Sequence, residues 1–395
     1  MSRRIKISGT GCCLVDQIYP DVDFGREPIA GYLSTQEGDG GLYPGRLVFR
    51  EQFESFAGTD LQSLLHRIEK EKGKPVFNVG GPSIVALIHA AQLLQGSPAQ
   101  VRFYGARGRD PAGDFLQSKL EQTPVRTGNF MLMDGDTPST VVLSDPSYHD
   151  GEGERMFINT IGTAWNMSME HLGEGFFDAD IVVFGGTALV PDLHDNLAGL
   201  VGKARERGCI TVVNTVYDFR SEMERPGMQW KLGSSDETYR NTGLLIMDRE
   251  EACRLSGYDD PEKTAGYFAD RGVSSFIITN GTRDTVCYSD GRVFGALPLS
   301  HFPVSANLLR DLKQSRVGDT TGCGDNFTGG VLASMAWQLQ EGRTSPDLEE
   351  CVAWGTVSGG YCCFHVGGTF IERMPGEKVK QLRPYHQHYI RQIHG

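Results

Sequence analysis

From Asp180 onward the chain alternates short apolar runs with helical patterns, and that alternation leaves few architectures open. Ile181 to Phe184 reads as a strand, and Leu193 to Arg207 as a helix closed by Gly208. Ile210 to Val213 is a second strand, and an irregular insertion follows through Gly243. Leu244 to Met247, a helix over Asp248 to Leu255, a helix over Pro261 to Arg271 and a strand over Phe276 to Thr279 complete the series. Strands apolar along their whole length have both faces covered, which predicts a mainly parallel sheet with helices on either side. The expectation is an α/β fold of three layers, formed by one domain over residues 1–395.

Composition removes several function classes. A net charge of −12 argues against nucleic acid or an anionic membrane as the main partner. No apolar run approaches the roughly 20 residues of a membrane span. The basic start, Met1 to Ile7, lacks the apolar centre of a signal peptide, so a cytoplasmic location is expected. Nine cysteines include the adjacent pairs Cys12-Cys13 and Cys362-Cys363 but no Cys-x-x-Cys spacing. They read as small buried hydrophobes, not as a zinc site.

Before the alternating half, Arg4 to Ser8 is a first strand ending in Gly9-Thr-Gly11. A dinucleotide fold asks for a third glycine where Leu14 stands, so a Rossmann oxidoreductase is set aside. Asp16 follows in what reads as a loop at the ligand end of the sheet. Residues 20–50 are rich in glycine, proline and acids and read as irregular structure or short strands. Leu61, Leu64, Leu65 and Ile68 mark a helix closed by Gly73, and Gly80-Gly81-Pro82 opens another with Ile84, Leu87, Ile88, Ala91 and Leu94 on its buried face. β-rich runs between Phe130 and Ile161 without helices predict a small separate sheet.

The stretch from Asp319 to Phe327, Asp-Thr-Thr-Gly-Cys-Gly-Asp-Asn-Phe, carries the chemistry. Gly322 and Gly324 form a bare turn, and a helix runs from about Asp325 with Phe327, Val331, Met335 and Leu339 on one face. Helix-start N–H groups lack intrahelical acceptors and the macrodipole adds positive potential, so the turn reads as an anion cradle with Asp325 at its rim. An aspartate there is also an ordinary helix cap. Cys323 lies at the same helix start, where a thiolate is favoured, and its modification would block the cradle.

This stretch resembles the C-terminal signature of the PfkB carbohydrate kinase (ribokinase-like) family, Asp-Thr-x-Gly-Ala-Gly-Asp-x-Phe, with Cys323 in place of alanine. Further segments follow the family's order along nearly the whole chain. The resemblance implies a ribokinase-like αβα sandwich with a small β lid, drawn here from about residues 17–50 and 124–162, and a nucleotide-binding half over about 180–395. It implies that Asp16 holds sugar hydroxyls, that Gly80 and Gly81 contact the sugar, and that Phe103 to Asp110 with Gly113 matches the family's Gly-x-x-Gly-x-Asp-x-x-Gly segment. Where the family usually has asparagine this chain has Val85, and Asn78 is the nearby substitute. Arg155 is a candidate lid contact. Asp248-Arg-Glu-Glu251 is similar to the family's Asn-x-x-Glu motif for Mg²⁺ and phosphate, with aspartate for asparagine, although Asp248 and Glu251 also fit a helix capping box. Thr279 and Gly281 match a Thr-x-Gly turn for nucleotide phosphates, and Thr320 and Thr321 join them. Gly367, in Val366-Gly-Gly368, resembles the loop closing the adenine pocket and a monovalent-cation site.

These readings imply an ATP- and Mg²⁺-dependent phosphotransferase acting on a sugar hydroxyl, with K⁺ as a further cofactor. Asp325 would be the base, and backbone N–H groups of Gly322, Cys323 and Gly324 would hold developing phosphoryl charge. A nucleoside kinase resembling adenosine kinase is the alternative, favoured by the long path and helix between Asp16 and Gly80. A catalytically weak sugar or nucleotide sensor is the rival from another class. A homodimer through exposed lid edges is expected.

Overall fold

Alternate residues of one strand fall into two different cores, and this organises the molecule. Ile181 and Val183 belong to one apolar cluster, while Val182 and Phe184 belong to another on the opposite face. The computed structural model describes residues 3–36, 38–151, 153–315 and 320–395. Asp319, the first residue of the signature stretch, lies outside the described residues.

The strands in chain order are β1 (Ile5–Gly11), β2 (Leu14–Tyr19), β3 (Leu47–Phe49), β4 (Val76–Gly80), β5 (Ala99–Arg107), β6 (Arg126–Leu132) and β7 (Ser139–Asp145). They continue as β8 (Glu154–Thr160), β9 (Ile181–Gly185), β10 (Ile210–Asn214), β11 (Leu244–Asp248), β12 (Ser275–Thr279), β13 (Thr285–Ser289) and β14 (Leu297–Phe302). Among the described residues they form a nine-stranded sheet, β14-β13-β12-β11-β10-β9-β1-β5-β6, and a five-stranded sheet, β3-β8-β7-β2-β4. The large sheet is parallel from β12 through β6, and only β13 runs against its neighbours. Helices cover both of its faces, so the three-layer α/β expectation holds.

Chain order turns back between β1 and β9, which sit side by side in the large sheet. In an open parallel sheet that reversal leaves a crevice at the carboxyl ends of the strands. Gly11, Gly185, Asn214, Asp248 and Thr279 end the five strands there.

The structure departs from the sequence reading in several places. Asp16 is in strand β2 of the small sheet, not in a loop, because the chain bends at Cys12-Cys13 from one sheet to the other. The small sheet includes residues 76–80, whereas 126–132, expected in the lid, extend the large sheet beside β5. The predicted helix over 193–207 is broken at Asn196, which separates Pro191–Asp195 from Leu197–Glu206. β14 and the helix Ala306–Leu312 precede the signature stretch, and a C-terminal helix, Glu377–His394, was not anticipated.

The signature helix, Cys323–Gln340, is buried almost all round, between the helices Pro82–Leu93 and Leu348–Cys362. Its glycines permit this. A Cβ on Gly329 would stand 2.6 Å from the Ala86 carbonyl oxygen, and one on Gly330 would stand 2.5 Å from the Trp354 carbonyl oxygen. Both obstacles are backbone, so neither yields by a rotamer change. Gly330→Ala is therefore expected to destabilise the protein by about 1–3 kcal/mol, despite alanine's better helix propensity of about 1 kcal/mol. A urea-unfolding midpoint equal to wild type would refute this close packing.

Candidate active site

Gly322 precedes the signature helix with φ +73°, and a Cβ there would come within 2.4 Å of the Gly368 Cα. Asn326 fixes this approach, because its Nδ2 donates to the carbonyls of Gly322 and Gly368, each at 2.8 Å. The helix therefore starts with no side-chain cap, against a strap of tail residues. The Cys323 N–H makes a long turn bond to the Thr320 carbonyl, at 3.3 Å. The N–H groups of Gly324 and Asp325 occupy first-turn positions that have no intrahelical acceptor.

Asp325 is partly buried, and burial pushes its carboxyl up to about 7. Its field reaches two neighbours. Burial first, then the charges of Cys13, Asp325 and Asp16, raise the Cys12 thiol. Cys12 thus stands between Asp16 of the small sheet and Asp325 of the signature helix.

Asp248 ends β11 and caps the helix Arg249–Ser256. Its Oδ1 accepts the Glu251 N–H at 2.8 Å, and Glu251 Oε2 accepts the Asp248 N–H at 3.0 Å, so the capping box is formed. Glu251 Oε2 also accepts the Thr215 hydroxyl at 2.5 Å. Glu251 is buried while Asp248 is exposed. Burial, reinforced by the Asp248 charge and by Asp325, pushes the Glu251 carboxyl up to about 8. Acids that repel one another in a partly dry crevice suit a divalent cation with oxygen ligands. Thr279 pairs with Asp248 at the end of β12, and Gly281 follows at φ +56°. Beside them is a groove of about 550 Å³ lined by Gln229, Arg249, Arg254, Asp259 and Asn280.

The small sheet presents a row that sequence reading did not assemble. Asp16 is directly opposite Asn78 on one side and Thr140 on the other, and Thr140 is opposite Asn159. Residues paired across strands share a face. The other face carries Tyr19, Val141, Leu143, Met156 and Ile158, packed with Leu61, Leu64 and Ile68 in a separate core. Asn159 Nδ2 donates to Thr140 Oγ1 at 2.9 Å. Arg155 and Phe157 alternate onto the polar face of β8. From there Arg155 Nη2 donates to Thr320 Oγ1 at 3.0 Å, and Nη1 donates to Thr321 Oγ1. The polar face of the small sheet therefore looks toward the signature turn.

Glycines allow the close approach between the parts. A Cβ on Gly80 would be 2.2 Å from Asp16 Oδ2, and one on Gly81, at φ +102°, would be 2.6 Å from the Cys12 carbonyl oxygen. Asn78 Nδ2 donates to the Val366 carbonyl at 3.1 Å, and its Oδ1 accepts the Val79 N–H at 2.8 Å. Gly367, at φ +80°, has no room for a Cβ, which would meet Asn78 Nδ2 at 2.0 Å. Thr369 Oγ1 donates to the Val79 carbonyl at 2.7 Å. Residues 366–370 thus strap β4 to the signature turn. Asn78 clips this strap to β4. The strap's far end is held by Lys378, whose buried Nζ donates to the Phe370 carbonyl at 3.0 Å and to His89 Nδ1 at 3.3 Å. Burial lowers that ammonium to about 7. Thr140, Asn159, Thr215 and Lys378 were missed. The alternation Phe157-Ile-Asn159 hinted at Asn159, but sequence alone gives no signal for its register with Asp16.

Asp110, matched above to a family segment, is structural. Its carboxylate accepts the Gly113 N–H at 2.7 Å and the Thr137 N–H at 2.6 Å, joining β5 to the start of β7.

The signature helix thus starts at the reversal point of a parallel sheet, with a second sheet facing it. The chain belongs to the pfkB family of carbohydrate kinases, whose pattern matches residues 58–373. It is 24% identical over 288 residues to a fructokinase of Vibrio alginolyticus, covering 71% of this chain and 83% of that one. It is 27% identical over 243 residues to an aminoimidazole riboside kinase of Salmonella typhimurium, covering 59% and 67%. In fold it is similar to an adenosine kinase of Schistosoma mansoni, with TM-score 0.69, 17% identity and coverage of 93% and 97%. It is also similar to a ribokinase of Thermotoga maritima, with TM-score 0.64, 16% identity and coverage of 96% and 99%. The protein is thus a phosphotransferase of the carbohydrate and nucleoside kinase group, and its family implies use of ATP. Among the described residues no helix is long and apolar enough to cross a membrane.

The raised Glu251 carboxyl has a consequence for stability without added metal. The unfolded carboxyl loses its proton near its ordinary value of 4.5, whereas the folded one keeps it to about 8. Between those values the folded state binds more protons, so stability falls as pH rises through the window. Urea unfolding of Glu251→Gln should show a shallower decline between pH 5 and 8 than wild type, by up to about 1 kcal/mol per pH unit. Equal slopes would show that Glu251 does not hold its proton.

Proposed function

We propose that this protein transfers the γ-phosphoryl group of ATP to a hydroxyl of a sugar. The carrying observation is the polar row Asn78, Asp16, Thr140 and Asn159, which faces a helix start rimmed by Asp325. Side chains that hydrogen-bond through oxygen and amide suit a polyhydroxy acceptor.

In this reading Asp16 holds acceptor hydroxyls, and Gly80 and Gly81 let the sugar approach the backbone. Asp325 takes the proton of the attacking hydroxyl. Its raised carboxyl supports this role, since a base titrating near neutrality is suited to proton transfer. N–H groups of Gly322, Cys323 and Gly324 stabilise negative charge on the transferring phosphoryl, with the Cys323 N–H turning from its long bond to Thr320. Thr320, Thr321, Thr279 and Gly281 contact nucleotide phosphates, and Gly367 belongs to the strap behind the cradle. Arg155 brings positive charge from the small sheet to the same turn, so closure of that sheet as a lid excludes water and completes the site. Asp248 and Glu251 would hold Mg²⁺ with their carboxylate oxygens, Glu251 Oε2 being already bonded to the Thr215 hydroxyl and the Asp248 N–H. When bound, the ion neutralises phosphate oxygens. The exposed Val76 and Phe77 on edge strand β4 support association of two copies through their small sheets.

A nucleoside acceptor is the second reading, and Phe157 is the observation that favours it. This half-buried ring lies on the polar face, with the Arg155 guanidinium 5.8 Å from its centre, and offers a surface for a base. ADP release with ATP and Mg²⁺ against hexoses, pentoses, ketoses, their phosphates and nucleosides separates the two. A sugar standing out supports the proposal, and a nucleoside standing out replaces it. No acceptor, with ATP binding intact, would turn the reading to a sensor.

Asp325→Asn should lower turnover by about 10³-fold or more while ATP affinity changes little. Turnover retained in that variant would remove Asp325 as base. In the wild-type enzyme kcat/KM should rise with pH through about 7 and then level, as the Asp325 carboxyl loses its proton. A profile flat from pH 5.5 to 8.5 would contradict the assignment. Arg155→Gln should reduce kcat by about 10–100-fold with a smaller effect on acceptor KM, and a change confined to KM would place Arg155 in ground-state binding only.

A further inference from the structure

We propose that Cys323 and Cys363 form an oxidisable dithiol whose disulfide switches off the anion cradle. Their sulfurs are 3.2 Å apart, although the residues are 40 positions distant in the chain. Cys323 is the first residue of the signature helix, and Cys363 caps the end of the Leu348–Cys362 helix. Both are only partly buried, as is Cys253, so a small oxidant reaches them, whereas Cys12, Cys13, Cys209, Cys287, Cys351 and Cys362 are buried.

The backbones at this point are already in contact. A Cβ on Gly359 would be 2.9 Å from the Cys323 carbonyl oxygen, and the Cys363 thiol donates to the Gly359 carbonyl at 4.0 Å. Forming the bond requires the sulfurs to close by roughly 1 Å, to the usual length of about 2.05 Å. Rotation of the two cysteine side chains and a small shift of the turn at Gly322 to Gly324 supply that movement. The shift falls on the cradle, because Cys323 is flanked by Gly322 and Gly324, the most compliant residues of the turn. Gly322 is also interlocked with Gly368, so the displaced turn meets the strap.

The co-reactant is a hydroperoxide. The Cys323 thiolate attacks one peroxide oxygen, the O–O bond breaks, and the departing oxygen takes a proton, leaving as water or an alcohol. The Cys323 sulfenic acid is then attacked at sulfur by the Cys363 thiolate. An S–S bond forms and hydroxide leaves, taking a proton to become water. Two thiols lose two electrons and two protons, and one peroxide is reduced.

The effect on turnover rests on the phosphotransfer reading, while the cross-link itself rests on geometry alone. The test treats the full-length protein with hydrogen peroxide, alkylates remaining thiols and maps peptides by mass spectrometry without reduction. The expected product is a peptide pair joined through Cys323 and Cys363, with turnover lowered by on the order of tenfold or more. Dithiothreitol should reverse both changes. Cys363→Ser should show no cross-link under the same peroxide. Cys323 recovered alkylated, singly oxidised or joined to another cysteine would overturn the proposal, as would full turnover in the cross-linked protein. If Cys363→Ser does not fold, peptide mapping and reversal in the wild type decide. Protein that releases no ADP before oxidation fails the kinase reading, and the mass of the linked peptides still decides the dithiol.

Discussion

The contact of bare backbone with backbone around the Cys323–Gln340 helix is the constraint on which the rest of the structure depends. Gly329 rests on Ala86 and His89, Gly330 on Trp354 and Ser358, and Gly359 on the carbonyl of Cys323. Each contact removes freedom that a side chain would have restored by turning. The helix can neither slide nor rotate without meeting a neighbouring main chain. Thr328 bonds Asn214 at the end of β10, and Asn326 bonds the strap, so the first turn is held from the sheet and from the tail together. A cradle of dipoles acts well on developing charge only when it does not reorganise, and this packing supplies that rigidity.

Electrostatics then follow from placement. Asp325, Glu251 and Asp16 reach one crevice from three parts of the chain, and two of their neighbours respond to the crowding. Glu251 feels Asp248 and Asp325, and Cys12 feels Asp325 and Asp16. A site that gathers negative side chains beneath a positive helix start is balanced for a polyanion arriving with its cation, and poorly balanced without them.

Much of this was legible in the sequence. Uniformly apolar runs such as Ile181 to Phe184 and Leu244 to Met247 announced a sheet covered on both faces, and the Gly322-Cys-Gly-Asp325 turn announced its helix. The capping pair Asp248 and Glu251 was legible as a cap, and its part in phosphate chemistry was not separable from that by sequence. Elements held by pairing were hidden. Asp16 looked like a loop residue because only Cys12 and Cys13 separate β1 from β2, and nothing local marks a change of sheet. Thr140 joins Asp16 only through register with a strand more than a hundred positions away, and Asn159 joins the row through Thr140. Lys378 was invisible for another reason: a lysine on a polar C-terminal helix reads as solvated until the strap that covers it is known.

The polar row of the small sheet is a property of alignment, and this bears on how such a protein can change its length. Four strands contribute one residue each, and neighbouring residues point to opposite faces. An insertion of one residue inside β2, β4, β7 or β8 would carry part of the row into the apolar layer beneath and bring a hydrophobic side chain up to replace it. Length can vary between strands and not within them. The long irregular passage from residue 20 to β3 and the extended path to β4 lie in that permissive interval, so the chain has room to elaborate around its acceptor surface while the surface itself stays in step.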